Sequence, residues 1–236
     1  MRKLFIGILA IAVVFGMSMG VMAGNEATID QDGLDLQADV GQEGDRNIIE
    51  LIQDGDANDS LANAILSQYG TENEAYVEQE HDNFGVGVRA RIDQDGIGNL
   101  VNVNQTFNSN LEIWQDGNNN EAQVNITQDH SAWKSQDFIA TYLKQEGDGN
   151  IYEAEKNVGT SWSEQIGDDN EVYINQDTSG LPGNLDISQE GDRNVVNATQ
   201  LGTEHTADLN QTGNDDRIVL TQDGENNDVE VVQTDF

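Results

Sequence analysis

One spacing recurs so often that it limits the fold before any other property matters: Gln-x-Gly-x-x-Asn, continued by Asn-x-(Ala/Val/Ile)-x-x-x-Gln. Full copies run Gln42-Gly44-Asn47-Ile49-Gln53, Gln68-Gly70-Asn73-Ala75-Gln79 and Gln94-Gly96-Asn99-Val101-Gln105. Three more run Gln165-Gly167-Asn170-Val172-Gln176, Gln189-Gly191-Asn194-Val196-Gln200 and Gln222-Gly224-Asn227-Val229-Gln233. Two copies are partial: Gln115, Gly117, Asn120 and Ala122 precede a late Gln128, and Gln145, Gly147 and Asn150 precede Lys156 where glutamine is expected. The hexamer QEGDRN stands twice, at Gln42 to Asn47 and at Gln189 to Asn194. Self-similarity of this kind marks a repeat architecture, in which each unit buries its apolar face only against its neighbours.

Side-chain parity identifies the element inside each repeat. In NEAYVEQ, Asn73, Ala75, Val77 and Gln79 share one parity, and Glu74, Tyr76 and Glu78 take the other. The same alternation holds in NLVNVNQ (Asn99 to Gln105), NEVYINQ (Asn170 to Gln176) and NDVEVVQ (Asn227 to Gln233). Successive side chains of a strand point to opposite faces, so one face is Asn/Ala/Val/Gln and the other is charged or aromatic. A helix would scatter the same apolar residues around its cylinder. Glutamines stand 11 residues apart in Gln31, Gln42, Gln53 and in Gln189, Gln200, Gln211, Gln222, Gln233. A unit of about 22 residues made of two strand-plus-turn halves accounts for both spacings.

The predicted fold is therefore all-β: a β-solenoid of stacked strand-turn-strand rungs, with two parallel sheets in cross-β stacking. Roughly eight or nine rungs at about 4.8 Å each make a rod near 40 Å long. The inward Gln and Asn of the six full copies are expected to form ladders, each amide bonding to those above and below, which satisfies groups costly to bury. Gly44, Gly70, Gly96, Gly117, Gly147, Gly167, Gly191 and Gly224 are expected in the turns, where glycine takes positive φ without steric cost. The solenoid is expected over residues 24–236. The stretch from Asp129 to Glu164 fits the alternation least and reads as degenerate rungs with a bulged loop. Only Thr234, Asp235 and Phe236 follow Gln233, so the final rung is expected to lack a cap.

Residues 1–23 read as a secretory signal. Arg2 and Lys3 precede the apolar run Leu4 to Phe15, and Val21-Met22-Ala23 supplies small residues for cleavage. The chain has 44 acidic and 10 basic residues and a formal charge of −34. That balance excludes a nucleic-acid binder, which must neutralise phosphates, and argues against docking on anionic lipid. No segment beyond the leader is apolar enough for insertion in a membrane. The chain has no cysteine, so an exported domain here draws nothing from disulfides. Stacked like charges about 4.8 Å apart repel by roughly 0.9 kcal/mol per pair in a water-like dielectric. Salt, divalent cations or mild acid are therefore expected to speed any assembly, and the charge can delay it until after export.

The pattern Gln-x-Gly-x-x-Asn-x-Ala-x-x-x-Gln resembles the curlin repeat, and the resemblance covers nearly all of Gly24 to Phe236. It departs from the family pattern of a serine with five residues between it and the repeat glutamine, a spacing kept here only at Ser109, ahead of Gln115. The resemblance implies a structural subunit exported through the periplasm of a Gram-negative-type bacterium and across an outer-membrane pore with accessory proteins. It also implies polymerisation with itself and with other curlin subunits into functional amyloid fibres of the cell surface, serving biofilm matrix and adhesion.

Rival functions find less support. His81, His130 and His205 are scattered, and His81 and His130 each fall two residues after a glutamine, a turn position. No catalytic residue and no cofactor is assigned, and the carboxylates read as solvated faces. The main alternative is a monomeric calcium-stabilised β-solenoid adhesin or binding module. Asp30-Gln31-Asp32-Gly33 and Asp93-Gln94-Asp95-Gly96 resemble parts of calcium loops, yet neither carries the full loop spacing, and no metal ligand is assigned. Trp114, Trp133, Trp162, Tyr76 and Tyr173 mostly take the outward parity or lie in irregular rungs, where strand preference or packing between fibrils accounts for them.

Overall fold

The computed structural model describes residues 11–16, 24–32, 36–55, 62–81, 88–106, 109–126, 139–156, 159–178 and 183–235. These residues form two sheets between which the chain alternates. The first sheet runs, in spatial order, β1 (Ile11–Gly16), β3 (Gln37–Asp45), β5 (Ala62–Thr71), β7 (Val88–Ile97), β9 (Ser109–Asn118), β11 (Ile139–Glu146), β13 (Thr160–Ile166), β15 (Asn184–Glu190), β17 (Thr206–Thr212) and β19 (Asp228–Thr234). The second runs β2 (Glu26–Asp32), β4 (Ile48–Gly55), β6 (Glu74–His81), β8 (Leu100–Thr106), β10 (Glu121–Ile126), β12 (Ile151–Lys156), β14 (Glu171–Asp177), β16 (Val195–Thr203) and β18 (Arg217–Glu225). Every strand pairs in parallel with the strand two ahead of it, so each turn of the chain adds one strand to each sheet. This is the β-solenoid with two parallel sheets that the repeat predicts.

Alternation fixes the interior. In β3 and β4 the inward residues are Ala38, Val40, Ile49 and Leu51, all buried, while Asp39 and Glu50 face water. The register stacks like on like: Val40 on Leu66, Leu51 on Val77, Gln42 on Gln68 and Gln53 on Gln79. A slip of one residue would turn every apolar side chain outward, so the pattern enforces the register. Each fully buried Val, Leu or Ile contributes about 1.5–3 kcal/mol of transfer free energy, and a strand has only two or three of them. One rung is too thin a core to fold by itself.

The corner between the sheets explains the Gly and the Asn. Gly70 has φ of 111°. A Cβ placed on it would lie 1.9 Å from the carbonyl oxygen of Gly96 in the next rung. Glycine is thus needed for its conformation and for the close stacking of corner on corner. Two residues later stands a second left-handed position, filled by Arg46, Glu72, Asn119, Asp169, Arg193 and Asp215 at φ between 55° and 63°. In both copies of QEGDRN the arginine at that position bridges to the acid one rung on, Arg46 to Glu72 and Arg193 to Asp215. The aspartate of the second copy is structural too: Asp192 Oδ1 accepts the backbone N–H of Asp168 at 3.0 Å.

The last full repeat differs from the other five in position. Gln42, Gln68, Gln94, Gln165 and Gln189 end strands of the first sheet, and their corners lead into the second. Gln222 ends β18 in the second sheet, and its corner leads back into β19. Within the stretch expected to be irregular, β11, β12 and β13 are regular strands in register with their neighbours. Residues 129–138 and 157–158 of that stretch, including His130 and Trp133, lie outside the described residues, as does the side chain of His81. Strand β1 falls inside the expected leader and pairs with β3, with Gly16 beside Gln42.

Candidate functional site: the amide ladders and the sheet ends

Nine glutamines form one column through the first sheet: Gln42, Gln68, Gln94, Gln115, Gln145, Gln165, Gln189, Gln211 and Gln233. Each donates from Nε2 to Oε1 of the next, at 2.8 to 3.1 Å. Most also donate the second N–H to a backbone carbonyl of the opposite sheet, as Gln68 does to Ile48 at 3.0 Å. The two side-chain protons and the oxygen are then all used, which makes these buried amides tolerable. Stacked amides also polarise one another along the column.

The asparagines are held differently from the glutamines. Asn47 Oδ1 accepts the backbone N–H of Asn73 at 3.0 Å and its amide at 3.2 Å. Asn73 Nδ2 in turn donates to the corner carbonyls of Tyr69 and Gly96. Asn99, Asn120, Asn150, Asn170 and Asn194 continue this column, all fully buried. Amide-to-amide bonds run through part of this column, from Asn73 to Asn47, Asn120 to Asn99 and Asn150 to Asn120, and side-chain-to-backbone bonds add to them, clamping each corner to the next. Asn227 lies in the other set of corners and donates to Asp223 O at 3.1 Å. His205 occupies the equivalent place after Gln200 and Gly202, with Nε2 at 2.8 Å from Leu201 O.

The second sheet carries a broken ladder. Gln31, Gln53, Gln79 and Gln105 are joined in sequence at 2.5, 2.7 and 2.9 Å. Gln176, Gln200 and Gln222 form a second run at 2.8 and 2.7 Å. Between the runs the register places Ile126 beside Gln105 and Lys156 beside Gln176. Gln176 Oε1 is left buried without a hydrogen bond. Lys156 is fully buried and donates to Thr141 Oγ1 at 2.9 Å, Ser161 Oγ at 3.0 Å and Ala140 O at 3.3 Å. No carboxylate is among these partners, and burial pulls its pKa down to about 7. Tyr152, also fully buried, reaches across the interior to within 3.3 Å of Ser161 Oγ, and burial pushes its pKa up to about 12. Strand β13 makes room with Ser161 and Ser163, where β15 carries Leu185 and Ile187. Spacing flags both breaks, Lys156 in place of a glutamine and Gln128 two positions late so that Ile126 takes the ladder place, but the seryl strand opposite has no sequence signal.

The ladders have a direction. Among the described residues, every glutamine-to-glutamine bond donates toward the C-terminal end, so Gln31 and Gln42 begin their columns with an oxygen that no other described glutamine engages, and Gln233 ends its column with an amide N–H in the same condition. The backbone follows suit: β2 is the first strand of the second sheet, and β18 and β19 are the last of the two sheets. Such strands present a row of unpaired N–H and C=O groups. Among the described residues, no three His, Cys, Asp or Glu side chains are grouped so as to hold a metal ion.

The family model described as Curlin associated repeat matches residues 44–80 and 184–213. The first match covers the corner after β3 through β6, and the second covers β15 to β17 with the corner between β15 and β16. No curated protein and no solved structure matches the chain. The repeat spacing, the glutamine columns and the two matched segments agree: the chain carries curlin-type repeats, stacked as a β-solenoid.

Proposed function

We propose that the chain is the secreted structural subunit of a curli-like fibre, polymerising head to tail on the cell surface as functional amyloid for biofilm matrix and adhesion. The observation that carries this reading is the common polarity of the glutamine ladders. A surface that accepts at one end and donates at the other is heterologous, and repeating it along a rod axis generates an open filament with no closure. Each added molecule continues both sheets and extends the amide columns by stacking equivalent to that already inside the subunit.

Export supplies the timing in this proposal. Residues 1–23 act as the leader, and their removal takes away β1, which otherwise lies along the edge of β3. The high negative charge holds released subunits apart until they meet a fibre end. Partners are further copies of the chain, other curlin subunits that seed or extend the fibre, the outer-membrane secretion pore and periplasmic accessory proteins.

Dilution of the chain from denaturant tests the proposal. Thioflavin-positive, SDS-resistant fibres that seed fresh monomer are the expected result. A stable soluble monomer whose melting temperature rises with calcium would contradict it and favour the binding-module alternative.

A further inference from the structure

The outer face of the first sheet changes character at β11 and β13. Elsewhere its outward residues are mostly acidic, amide or small, but here Tyr142 and Trp162 stand side by side in register. Their rings stack with centroids 4.0 Å apart and an interplanar angle of 21°. Trp162 remains 50 % exposed. The same column continues as Glu112 on one side of the stack and Asp186 on the other. Beside it the neighbouring outward column has Ala140 and Thr160, which are short, flanked by Asn184. The height difference leaves a groove of about 420 Å³ along the aromatic wall. It crosses five strands, β9 to β17, roughly 19 Å at the usual strand spacing.

The chemistry of the groove narrows its occupant. Strands β9 to β15 are central, with backbone groups paired on both sides, so an added peptide strand has nothing to bond to. Recognition must run through side chains, and these combine an aromatic face with short polar groups. Thr160 donates to Asn184 Oδ1 at 2.5 Å, which leaves the Asn184 amide N–H to donate to a ligand. Glu112 and Asp186 are acceptors at the two ends of the stack. Burial, then Asp208 and Glu164, hold the Asp186 carboxyl above its ordinary range, as suits a group partly withdrawn from water. Two outward cations beside the groove are occupied: Lys144 by Glu146 and Glu164, each at 3.0 Å, and Arg91, in register with Glu112, by Asp93 at 3.0 Å. An acidic polymer would therefore meet carboxylates and a net charge of −34. A pyranose ring, by contrast, has an apolar C–H face for an aromatic wall and hydroxyls that both donate and accept. Tyr76 and Tyr173 on the second sheet provide no such wall: each stands singly with its hydroxyl bonded to Glu74 or Glu171 at 3.2 Å.

We propose that this groove binds a neutral polysaccharide, with the Tyr142–Trp162 stack as the platform for its sugar rings and Glu112, Asn184 and Asp186 holding its hydroxyls. Binding to the groove is independent of whether the chain polymerises. Titration calorimetry on the full chain with cellohexaose, laminarihexaose and mannohexaose tests it, with oligogalacturonate as the acidic comparison. At least one neutral hexasaccharide is expected to bind, with affinity falling at least tenfold in Trp162→Ala and in Asn184→Ala and unchanged in Tyr76→Ala. Absence of binding by all three, tighter binding of the acidic oligomer, or equal affinity in Trp162→Ala and Asn184→Ala overturns the proposal. Circular dichroism of each variant confirms that the sheets are intact, and the paired variants keep the test decisive should one of them misfold.

Discussion

Gln115 Nε2 lies 2.9 Å from Gln145 Oε1 across a sequence separation of 30 residues, the same distance at which Gln94 meets Gln115 across 21. The chain between ladder members differs in length by nine residues, and the ladder keeps one register. Lengthening a loop costs little closure entropy, whereas losing register would bury unpaired amides.

Substituting leucine for Gln145 should therefore cost more than its volume suggests. Gln165 would lose the donor to its buried Oε1, and Gln115 would lose one of its two acceptors. A destabilisation of about 2–3 kcal/mol is expected, read from the denaturant midpoint. Gln123→Leu, on the exposed face of β10, should stay within about 0.5 kcal/mol of the parent. Equal midpoints for the two variants would show that the ladder contributes nothing special.

The corner glycines make a sharper contrast. A Cβ on Gly96 would meet Gly117 O at 1.8 Å with φ at 125°, while one on Gly41 meets nothing within 4 Å. Gly96→Ala should destabilise by roughly 3 kcal/mol or more through strain and displaced stacking. Gly41→Ala should be neutral or slightly stabilising, because alanine narrows the unfolded ensemble. Thermal melts of the two variants decide the point.

Lys156 predicts a pH dependence of definite sign. Its folded pKa of about 7 lies below the ordinary 10.5, so between these values the unfolded state binds more protons. Stability should then rise with pH across that window, and below about 7 the penalty is complete and constant. Lys156→Met, an unbranched apolar replacement, should be more stable than the parent at pH 7 by an amount on the order of 4 kcal/mol, with the gap closing towards pH 10.5. Parallel urea titrations at pH 6, 8 and 10 measure it; a gap that stays constant over that range would exclude the buried neutral amine.

The division between what the sequence reveals and what it hides follows the physics of stacking. Parity in NEAYVEQ and NEVYINQ is enough to place Ala75, Val77, Val172 and Ile174 inside and to specify two parallel sheets, because a two-residue period has one buried solution. The columns are less legible. Gln222-Gly224-Asn227 has the same letters as the other copies but turns the opposite corner, and only the strand count before it distinguishes the two. The left-handed corner position is invisible because Arg46, Glu72, Asn119 and Asp169 share no residue type; the lattice of neighbouring corners imposes the conformation. The polar interior at β12 and β13 is half legible: the spacing marks Lys156 as out of pattern, but nothing in the repeat says that Tyr152 and Ser161, within nine residues of each other, turn towards it across the core.

The outward carboxylates set the conditions for assembly. Asp186, Asp208 and Glu230 follow one another in register on the outer face of the first sheet. Adjacent members repel by roughly 0.9 kcal/mol per pair in a water-like dielectric, and salt screens such exposed charges. Raising sodium chloride from about 10 mM to 150 mM, which shortens the screening length to roughly 8 Å, should shorten the thioflavin lag. Asp208→Asn should shorten it at low salt and reduce its salt sensitivity. A lag unchanged in both experiments would remove charge as the brake on assembly.

The central claim is that one molecule continues the sheets of the next. X-ray diffraction from aligned fibres of the chain measures this directly. Continuation predicts a meridional reflection at about 4.7–4.8 Å, from strands stacked perpendicular to the fibre axis, and an equatorial reflection near 10 Å from the paired sheets. Fibres whose strand-spacing reflection falls on the equator, or a chain that stays monomeric at every salt and pH tested, would contradict it.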